Sequence, residues 1–314
     1  MTYVMHLEED EQTRLGSEGV NRRVQDIRII FLGTSSGTPS RDRNVSSVAV
    51  VLDGTVLLLD CGEGTQHQLQ RAPVRSGAIE AICITHLHGD HVYGLPGLLA
   101  TMTMNARAQP LTLVGPEMLR PYVECVLATT DHHPMFPVDI APPPYRGRGF
   151  TVVSAPLEHR IPAFGYCIIE DDRPGAFDVA KARALGIPPG PQYGELIRNH
   201  DPRVLGPPRR GRRIVYCTDT RPCASAVELA RGADVLIHEA TYTSDLAKDA
   251  DERRHSTAAG AARVAAEAGV GRLILTHFST RYRDAEPLLA EARAVFPNTD
   301  AASDFACFDV PPPL

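Results

Sequence analysis

The chain has 314 residues, of which 43% are hydrophobic and 22% charged, and its formal net charge is −6. This size and composition exclude a wholly disordered protein and predict one large domain or two small ones with a substantial core. The net acidity argues mildly against a polyanionic partner, unless basic residues are concentrated locally.

Neither the cysteines nor the N-terminal segment indicates secretion. The seven cysteines are odd in number and scattered without a CxxC pair, which predicts free thiols with no disulfide partner in a reducing compartment. Residues 1–26 show no secretory signal and little periodicity, so we expect an N-terminal tail. No apolar run approaches the roughly 18 residues that a membrane span needs. These features predict a cytoplasmic protein without a membrane partner.

The first half of the chain alternates short apolar strands with helical segments. Its predicted strands lie at residues 27–31, 46–52, 55–59, 81–85 and 111–114. Its predicted helices lie after Gln66 to about Ala72, and at residues 94–104 and 117–128. The pair Asp53-Gly54 is a common hairpin turn between the second and third strands.

The second half repeats this theme loosely. Its predicted strands lie at residues 150–155, 164–169, 213–217, 235–237 and 272–275. An alanine-rich helix is predicted over residues 256–268, and residues 173–208 are rich in proline and glycine.

Strand after strand ends in a side chain that can bind a metal. The residues at these ends are Asp60, His86, His91, His159, Asp219, His238 and His277. In sheets with helical crossovers, ligands bind at the carboxyl ends of strands, so this pattern predicts one shared site. Two mixed sheets between helical layers would bring both halves of the chain to a common edge.

The segment Thr85-His86-Leu87-His88-Gly89-Asp90-His91 is far more specific than an isolated HxH. His86 and His88 are two residues apart, so in extended chain their rings point the same way and can bind one metal ion. Asp90 and His91 follow the glycine and face a neighbouring position. The loop therefore predicts ligands for two adjacent metals rather than a polar surface loop.

Seven residues are predicted to hold two zinc ions. The predicted ligands are His86, His88 and His159 for the first ion, Asp90, His91 and His277 for the second, and Asp219 as the bridge between them. A carboxylate suits the bridge because it can give one oxygen to each ion. Zinc lowers the pKa of bound water to about 7, which suits hydrolysis. The same nitrogen and oxygen ligands would accept Mn²⁺ or Co²⁺.

Further motifs follow in order along residues 27–310. They are FLGT at 31–34, LDCGEGTQ at 59–66, PLEH at 156–159, AFGY at 163–166, TDTRP at 218–222, HEAT at 238–241, HST at 255–257 and THFSTRY at 276–282. The histidine loop alone resembles the metallo-β-lactamase superfamily. With these motifs the chain resembles, more narrowly, the ribonuclease Z family of tRNA 3′-processing endonucleases.

The resemblance implies an α/β fold, the αββα sandwich of two mixed sheets between helical layers. It implies a metallo-β-lactamase domain over residues 27–314, with an inserted tRNA-binding exosite arm at residues 171–212. The implied enzyme is a zinc-dependent endoribonuclease with two zinc ions per subunit. It would remove 3′ trailers from tRNA precursors, cutting after the discriminator nucleotide to leave a 3′-OH, and would work as a homodimer.

The resemblance also implies catalytic roles. Asp90 would orient or deprotonate the attacking water, and His255, coupled to Glu239, would protonate the departing 3′-oxygen. A positioned acid suits this step because a ribose alkoxide is a poor leaving group. The alternative for His255 is a structural residue beside the helix cap signal Ser256-Thr257.

RNA contacts are implied at basic and polar positions. These positions are Arg41, Arg43, Asn44, Thr65, Lys181, Arg183 and Arg281. Arg41 stands where the family usually has lysine, which keeps the charge but changes the shape. Between residues 177 and 213, eight lysines and arginines outnumber three acidic residues by five, which favours a grip on phosphates.

Two other functions remain open. A small-molecule phosphodiesterase or arylsulfatase-like metallo-hydrolase would share the metal site but not the RNA grip. An RNA-binding protein with a relic metal site is disfavoured by the complete ligand set. The arm separates these hypotheses, because only the tRNA enzyme needs it.

Overall fold

The computed structural model describes residues 27–313, and the tail predicted at residues 1–26 lies outside them. The described chain forms four layers, in which two seven-stranded sheets pack face to face and helices cover the outer face of each. The predicted αββα sandwich of two mixed sheets is confirmed.

The first sheet contains strands from the first half of the chain and one from near its end. They are β1 (Ile27–Gly33), β2 (Ser47–Leu52), β3 (Thr55–Leu59), β4 (Ile79–Cys83), β5 (Leu111–Val114), β6 (Val138–Ala141) and β14 (Cys307–Val310). Their order is β14-β1-β2-β3-β4-β5-β6. The pairs from β14 to β3 are antiparallel, and those from β3 to β6 are parallel.

The second sheet has the same pattern of three antiparallel and three parallel pairs. Its strands are β7 (Tyr145–Gly147), β8 (Phe150–Leu157), β9 (Ala163–Glu170), β10 (Arg213–Cys217), β11 (Val235–Glu239), β12 (Leu273–Thr276) and β13 (Thr299–Ala301). They follow one another in sequence order, with parallel pairing from β10 to β13.

Ten α-helices and two short 3-10 turns connect the described strands. The helices are α1 (Thr65–Arg71), α2 (Gly89–Val92), α3 (Gly94–Met104), α4 (Leu119–Thr129), α5 (Val179–Ala184), α6 (Pro191–Arg198), α7 (Ala224–Ala230), α8 (Ala247–Arg253), α9 (Ala258–Ala268) and α10 (Glu286–Arg293). The 3-10 turns are Ser76–Ala78 and Ser244–Leu246. Helices α1, α3 and α4 cover the first sheet, and α7, α9 and α10 cover the second.

Both faces of each sheet are buried, which explains why the strands are nearly continuous apolar runs in the sequence. Phe31 and Ile237 belong to the cluster between the sheets, whereas Ile30 and Leu236 pack against the outer helices. A strand covered on both faces needs apolar residues at every position, so the usual alternation is lost. The same two-sided burial makes it hard to assign, from sequence, the face on which a residue lies.

The predicted alanine-rich helix begins two residues later than expected. Thr257 caps α9, because its hydroxyl oxygen accepts a 3.1 Å hydrogen bond from the amide of Gly260. Gly269 ends the helix in the left-handed conformation, with φ of 64°. The small side chains of α9 are largely buried and let the helix lie close to the second sheet.

The proline- and glycine-rich segment contains helices that the sequence pattern did not indicate. Asp178 caps α5 through its carboxylate, and Pro191 stands in the first turn of α6, where it is tolerated. Isolated bridges join Arg173 to Arg209 and Phe177 to Leu205 beneath these helices.

The structure also gives the state of the cysteines and the character of the helices. All seven cysteines are free thiols, and Cys125 and Cys307 are the exposed ones. Among the helices of residues 27–313, none is long and apolar enough to cross a membrane.

Candidate metal centre and active site

The candidate site lies at the carboxyl ends of parallel strands from both sheets. Asp60 follows β3 and His86 follows β4 in the first sheet. Asp219 follows β10, Glu239 ends β11 and His277 follows β12 in the second. Because the sheets face each other with these edges together, residues far apart in the chain meet.

Three of these strand ends adopt a backbone conformation that most residues avoid. Asp60, Asp219 and His277 have φ of 60°, 50° and 58°. A non-glycine residue in this left-handed region costs of order 1–3 kcal/mol and persists only where the surroundings compensate. From these positions Asp219 and His277 place donor atoms in the site, and Asp60 contacts the outer nitrogen of His91.

Two glycines let the LDCGEGTQ loop lie directly against the histidine loop. A Cβ on Gly94 would lie 2.0 Å from the carbonyl oxygen of Gly62, and one on Gly62 would lie 2.3 Å from that of Asp90. Backbone atoms occupy both positions, so a side-chain Cβ could not be accommodated by moving a flexible neighbour. The glycines therefore fix the position of the loop that carries the ligands.

The first group of donor atoms surrounds one point. His88 Nδ1 lies 3.0 Å from His86 Nε2 and 3.1 Å from His159 Nε2. Asp219 Oδ2 lies 3.6 Å from the Nε2 atoms of both His86 and His159. The four residues predicted for the first ion are thus brought together.

The second group uses the other oxygen of the same aspartate. Asp219 Oδ1 lies 3.1 Å from His91 Nε2 and 3.0 Å from His277 Nε2. Asp90 Oδ2 lies 3.3 Å and 3.5 Å from these two nitrogens. One carboxylate therefore faces both groups, as a bridging ligand must.

The donor atoms fit a metal better than they fit one another. Ligand atoms about 2.0 Å from a tetrahedral ion lie about 3.3 Å apart, close to the spacings here. The Nε2 atoms of His91 and His277 are buried and have no hydrogen-bond partner among the described residues. Orphaned buried nitrogens are costly, and a cation would satisfy both.

Outer partners hold the rings so that the inward nitrogen is free for a metal. Each partner contacts the Nδ1 atom of a histidine whose Nε2 faces the site. The pairs are His86 with Thr85 Oγ1 at 3.0 Å, His91 with Asp60 Oδ2 at 2.8 Å, His159 with the carbonyl of Arg254 at 3.2 Å, and His277 with Thr241 Oγ1 at 3.1 Å. A carboxylate or carbonyl can only accept, so in a neutral His91 or His159 the proton lies on Nδ1.

The electrostatics of the centre favour a positive charge. Burial would raise the pKa of Asp219, but the neighbouring imidazoles, led by His277, hold that pKa well below its ordinary value. Burial lowers the pKa of His91, yet the carboxylates of Asp219 and Asp60 outweigh it and raise the pKa well above its ordinary value. The lowered pKa of Asp219 favours its ionised form, which stabilises a cation beside it.

A second pair lies beside the ligands. His255 Nδ1 lies 2.8 Å from Glu239 Oε1, and Glu239 is fully buried. The carboxylate also accepts hydrogen bonds from the amides of Thr220 and Ser256 and from the hydroxyl of Thr241. Burial lowers the pKa of His255, but Glu239 outweighs it and the net shift is upward. The pair can hold a proton at the edge of the site.

The ligand groups open into a cavity of about 410 Å³. Asp90, Asp219 and His255 line it together with the loop at residues 36–39. The amide of Gly37 donates a 2.8 Å hydrogen bond to Asp90 Oδ2, so this loop positions the carboxylate from the side opposite the histidines. A water molecule and a phosphodiester could reach the donor atoms from here.

Comparison with known proteins identifies the family. Two family models match parts of the chain, one described as Anti-Pycsar protein Apyc1 over residues 27–130 and one as Beta-lactamase superfamily domain over residues 202–278. Ribonuclease Z of Gloeothece citriformis (strain PCC 7424) is 48% identical over 307 residues, covering 91% of this chain and 96% of the relative. Ribonuclease Z of Rippkaea orientalis (strain PCC 8801 / RF-1) is 49% identical over 307 residues, covering 91% and 98%.

The chain belongs to the ribonuclease Z family.

A solved structure agrees with this assignment. The crystal structure of human tRNase Z, short form (ELAC1), matches with a TM-score of 0.67 and 29% identity, covering 90% of this chain and 99% of the human one. The family resemblance noted in the sequence is confirmed, and the fold with its histidine and aspartate cluster is compatible with a metal site.

Several positions that the ribonuclease Z resemblance assigned to RNA make internal contacts. Arg43 donates a 2.9 Å hydrogen bond to the carbonyl of Tyr282 and stacks over Phe278. The side-chain amide of Asn44 donates to the carbonyl of Glu63 at 2.7 Å. Thr65 is fully buried, so its hydroxyl is not available at the surface of this structure.

The remaining assigned positions lie on the surface. Arg41 is exposed on the loop before β2, and Lys181 and Arg183 are exposed on α5. Arg281 is exposed and stacks over the ring of Tyr242, 5.0 Å from its centroid. Arg41, Arg183 and Arg281 are available to a polyanion, whereas Lys181 pairs with Asp178 at 3.8 Å.

The basic segment is less charged than its composition indicates. Arg210 pairs with Asp234 at 2.7 Å, and Arg212 is buried against Glu170 at 2.8 Å. Glu170 and Asp234 lie outside residues 177–213, so the count of charges in that segment did not include them. Each neutralises one of the arginines that was counted. The local excess of positive charge is therefore smaller than five.

One strand-end histidine does not join the site. His238 is fully buried, and its Nδ1 lies 2.8 Å from the carbonyl oxygen of Glu239. Along β11, Leu236 packs against the outer helices and Ile237 faces the other sheet. Since alternate residues share a face, His238 lies on the outer side and Glu239 on the side of the site.

Proposed function

We propose that this protein is a zinc-dependent endoribonuclease that removes 3′ trailers from tRNA precursors, cutting after the discriminator nucleotide to leave a 3′-OH. The observation that carries the proposal is the arrangement of seven donor residues in two groups that share Asp219, in a chain of the ribonuclease Z family. A site open to a cavity of this size can admit a phosphodiester of a larger substrate.

The proposed cofactor is two Zn²⁺ ions per subunit, and the ligand set would also take Mn²⁺ or Co²⁺. His86, His88 and His159 would hold one ion, Asp90, His91 and His277 the other, and Asp219 both. Bound ions would supply positive charge that stabilises the phosphoryl transition state and makes water acidic enough to attack near neutral pH. The donor spacing and the orphaned nitrogens support this assignment.

The proposed protein groups complete the reaction with balanced bonds and protons. Asp90 orients the attacking water and accepts its proton while a new P–O bond forms. His255 gives its proton to the 3′-oxygen of the discriminator nucleotide as the P–O3′ bond breaks. The products are a tRNA with a 3′-OH and a trailer with a 5′-phosphate. Glu239 holds the imidazolium in place and favours its charge.

The proposed partners follow from the same function. Residues 171–212 are proposed as an exosite arm that binds tRNA, with the exposed Lys181 and Arg183 on α5 in contact with phosphates. The protein is proposed to act in the cytoplasm as a homodimer. The metallo-β-lactamase domain is proposed to extend over residues 27–314.

The first test is cleavage of a 3′-extended tRNA precursor by metal-loaded protein, with His255→Ala alongside. We expect a single cut after the discriminator nucleotide. The variant should lose about 10²- to 10⁴-fold in rate while it keeps its metal. No cut, together with active hydrolysis of bis(p-nitrophenyl) phosphate, would support the small-molecule phosphodiesterase instead.

A second test removes the arm without disturbing its base. The amide of Gly206 donates a 3.0 Å hydrogen bond to the carbonyl of Ala176, so a short Gly-Ser linker can replace residues 177–205. We expect loss of precursor cleavage with bis(p-nitrophenyl) phosphate hydrolysis retained. Equal loss on both substrates would mean that the segment is structural, and unchanged thermal stability controls for misfolding.

A further inference from the structure

Arg160 is the only lysine or arginine among the described residues that line the active-site cavity. The carboxylates of Glu63, Asp90 and Asp219 line the same space. Once Asp90 and Asp219 hold metal as proposed, Glu63 is the lining acidic side chain that would still repel the phosphates of an entering RNA strand. A guanidinium at this position would offset that repulsion.

The side chain of Arg160 is exposed and makes no hydrogen bond or ion pair within residues 27–313. Two arginines that contact its chain neighbours Glu158 and His159 are engaged. Arg221 pairs with Glu158 at 2.6 Å and with Asp251 at 3.0 Å, and Arg254 donates to the carbonyl of His159 at 2.9 Å. Of Arg160, Arg221 and Arg254, only Arg160 makes no such contact within the described residues, and it is the one that lines the cavity.

The position of Arg160 indicates which phosphate it meets. The metal-binding donors are largely buried, whereas Arg160 is exposed at the rim, so a phosphate held at the donors lies deeper than the guanidinium. Arg160 directly follows His159, whose ring lies 5.2 Å from that of His255. Arg160 and His255, the group proposed to protonate the leaving 3′-oxygen, both line the cavity.

We propose that Arg160 binds the backbone phosphate on the 5′ side of the discriminator nucleotide, next to the phosphate that is cut. This inference rests on the proposed function, because it needs a strand with more than one phosphate. Arg160 is a substrate-binding residue that places the discriminator nucleotide, and it does not take part in the chemical step.

The test compares Arg160→Gln with the wild-type metal-loaded enzyme. We expect kcat/KM for a 3′-extended precursor to fall about tenfold, as for loss of a hydrogen bond to a charged group. The slope of log kcat/KM against log salt should become shallower by about 0.7, the value for one phosphate of a single strand. Hydrolysis of bis(p-nitrophenyl) phosphate, which has no flanking phosphate, should stay within about twofold.

Two controls sharpen the comparison. Arg160→Lys should recover part of the loss because it keeps the charge, and Arg263→Gln should change nothing, because Arg263 is exposed on α9 away from the cavity. A precursor with a neutral methylphosphonate on the 5′ side of the discriminator nucleotide should be cut equally by the wild type and Arg160→Gln. The same substitution at the first phosphate within the trailer should preserve the difference between them.

The outcomes separate the inference from the function beneath it. Unchanged precursor cleavage by Arg160→Gln would overturn the inference while leaving the tRNA endonuclease intact. Equal losses on both substrates would place Arg160 at the cleaved phosphate and overturn the proposed contact. A wild-type protein that hydrolyses bis(p-nitrophenyl) phosphate but cuts no precursor would overturn the proposed function, and the inference with it.

Discussion

The hydroxyl of Tyr216 donates a 2.9 Å hydrogen bond to Oδ2 of Asp60, joining the second sheet to the first directly behind the candidate metal centre. The same oxygen of Asp60 contacts Nδ1 of His91 at 2.8 Å. The other oxygen accepts from the amide and hydroxyl of Thr85. The orientation of one predicted ligand therefore depends on a tyrosine in the opposite sheet.

Tyr216→Phe should weaken metal binding at the group that contains His91. We expect about a tenfold loss of affinity, typical of removing an outer partner, and about 1 kcal/mol less stability. Tyr166→Phe is the matched control, because its equally buried hydroxyl donates to the carbonyl of Ile84 instead. Metal titration and denaturant unfolding of both variants measure the two effects. Equal metal affinities in the two variants would contradict the role given to Tyr216.

Asp219→Ala should reduce the metal content below two equivalents per chain, because its two oxygens face both donor groups.

In the wild type, chelation should lower the melting temperature and added Zn²⁺ should restore it. A ligand at about 100 times its Kd stabilises by about 2.7 kcal/mol. The melting temperature of Asp219→Ala should change less on chelation and on addition of Zn²⁺. Asp251→Ala, which removes an exposed carboxylate, is the control for charge. Two retained zinc equivalents in Asp219→Ala would rule out the bridging role.

Arg254→Gly should separate backbone strain from ligand positioning. Arg254 has φ of 57°, which glycine adopts freely, so we expect stability to change by less than about 1 kcal/mol. The substitution removes the guanidinium that donates to the carbonyl of His159. Metal affinity at the group containing His159 should fall. Asp131→Gly, at φ of 49° on the surface, is the control and should leave metal affinity unchanged.

The ion pair of Arg212 and Glu170 should make the free energy of unfolding depend on pH. Burial would raise the pKa of Glu170, but hydrogen bonds from Arg212 and Arg173 outweigh it and lower that pKa below its ordinary value. A carboxyl whose pKa is lower when folded stabilises the protein above the unfolded pKa of about 4.3. This contribution is lost as the pH falls through the folded value.

Glu170→Gln tests whether this stabilisation is lost as the pH falls. The difference in unfolding free energy between wild type and variant should be constant from pH 6 to 7 and should shrink as the pH falls below about 4.3. Urea unfolding at each pH gives the difference. If the difference in unfolding free energy instead grows as the pH falls, a group other than Glu170 controls the pH dependence.

The fold could be predicted because its signals are local. The histidine loop follows an apolar strand, and Asp219 and His277 each end another, so strand position predicted a shared site, and the structure brings these residues together. The outer partners could not be found this way. Thr85, Thr241 and Tyr216 are ordinary residues, and their roles depend on which strands lie side by side.

The face of a strand and the pairing of charges were also beyond the sequence pattern. His238 looked equivalent to the other strand-end histidines, because β11 is apolar on both faces and gives no alternation to show its direction. Arg212 was counted as a free charge because Glu170, its partner, lies 42 residues earlier in the chain. Arg160 gave no signal at all, since an isolated arginine after a histidine is common.

The pairing of β1 with β14 places strands from opposite ends of the described chain side by side. Asp304 adds to this closure, because it accepts hydrogen bonds from the hydroxyl of Thr34 and the amide of Asn44. During synthesis, β1 is made long before its partner β14, and His277 is made after the other six predicted ligands. A chain that ends before His277 lacks both the β1–β14 pair and a full set of donors. The complete first sheet and the complete donor set therefore form together, only when early and late parts of the described chain are both present.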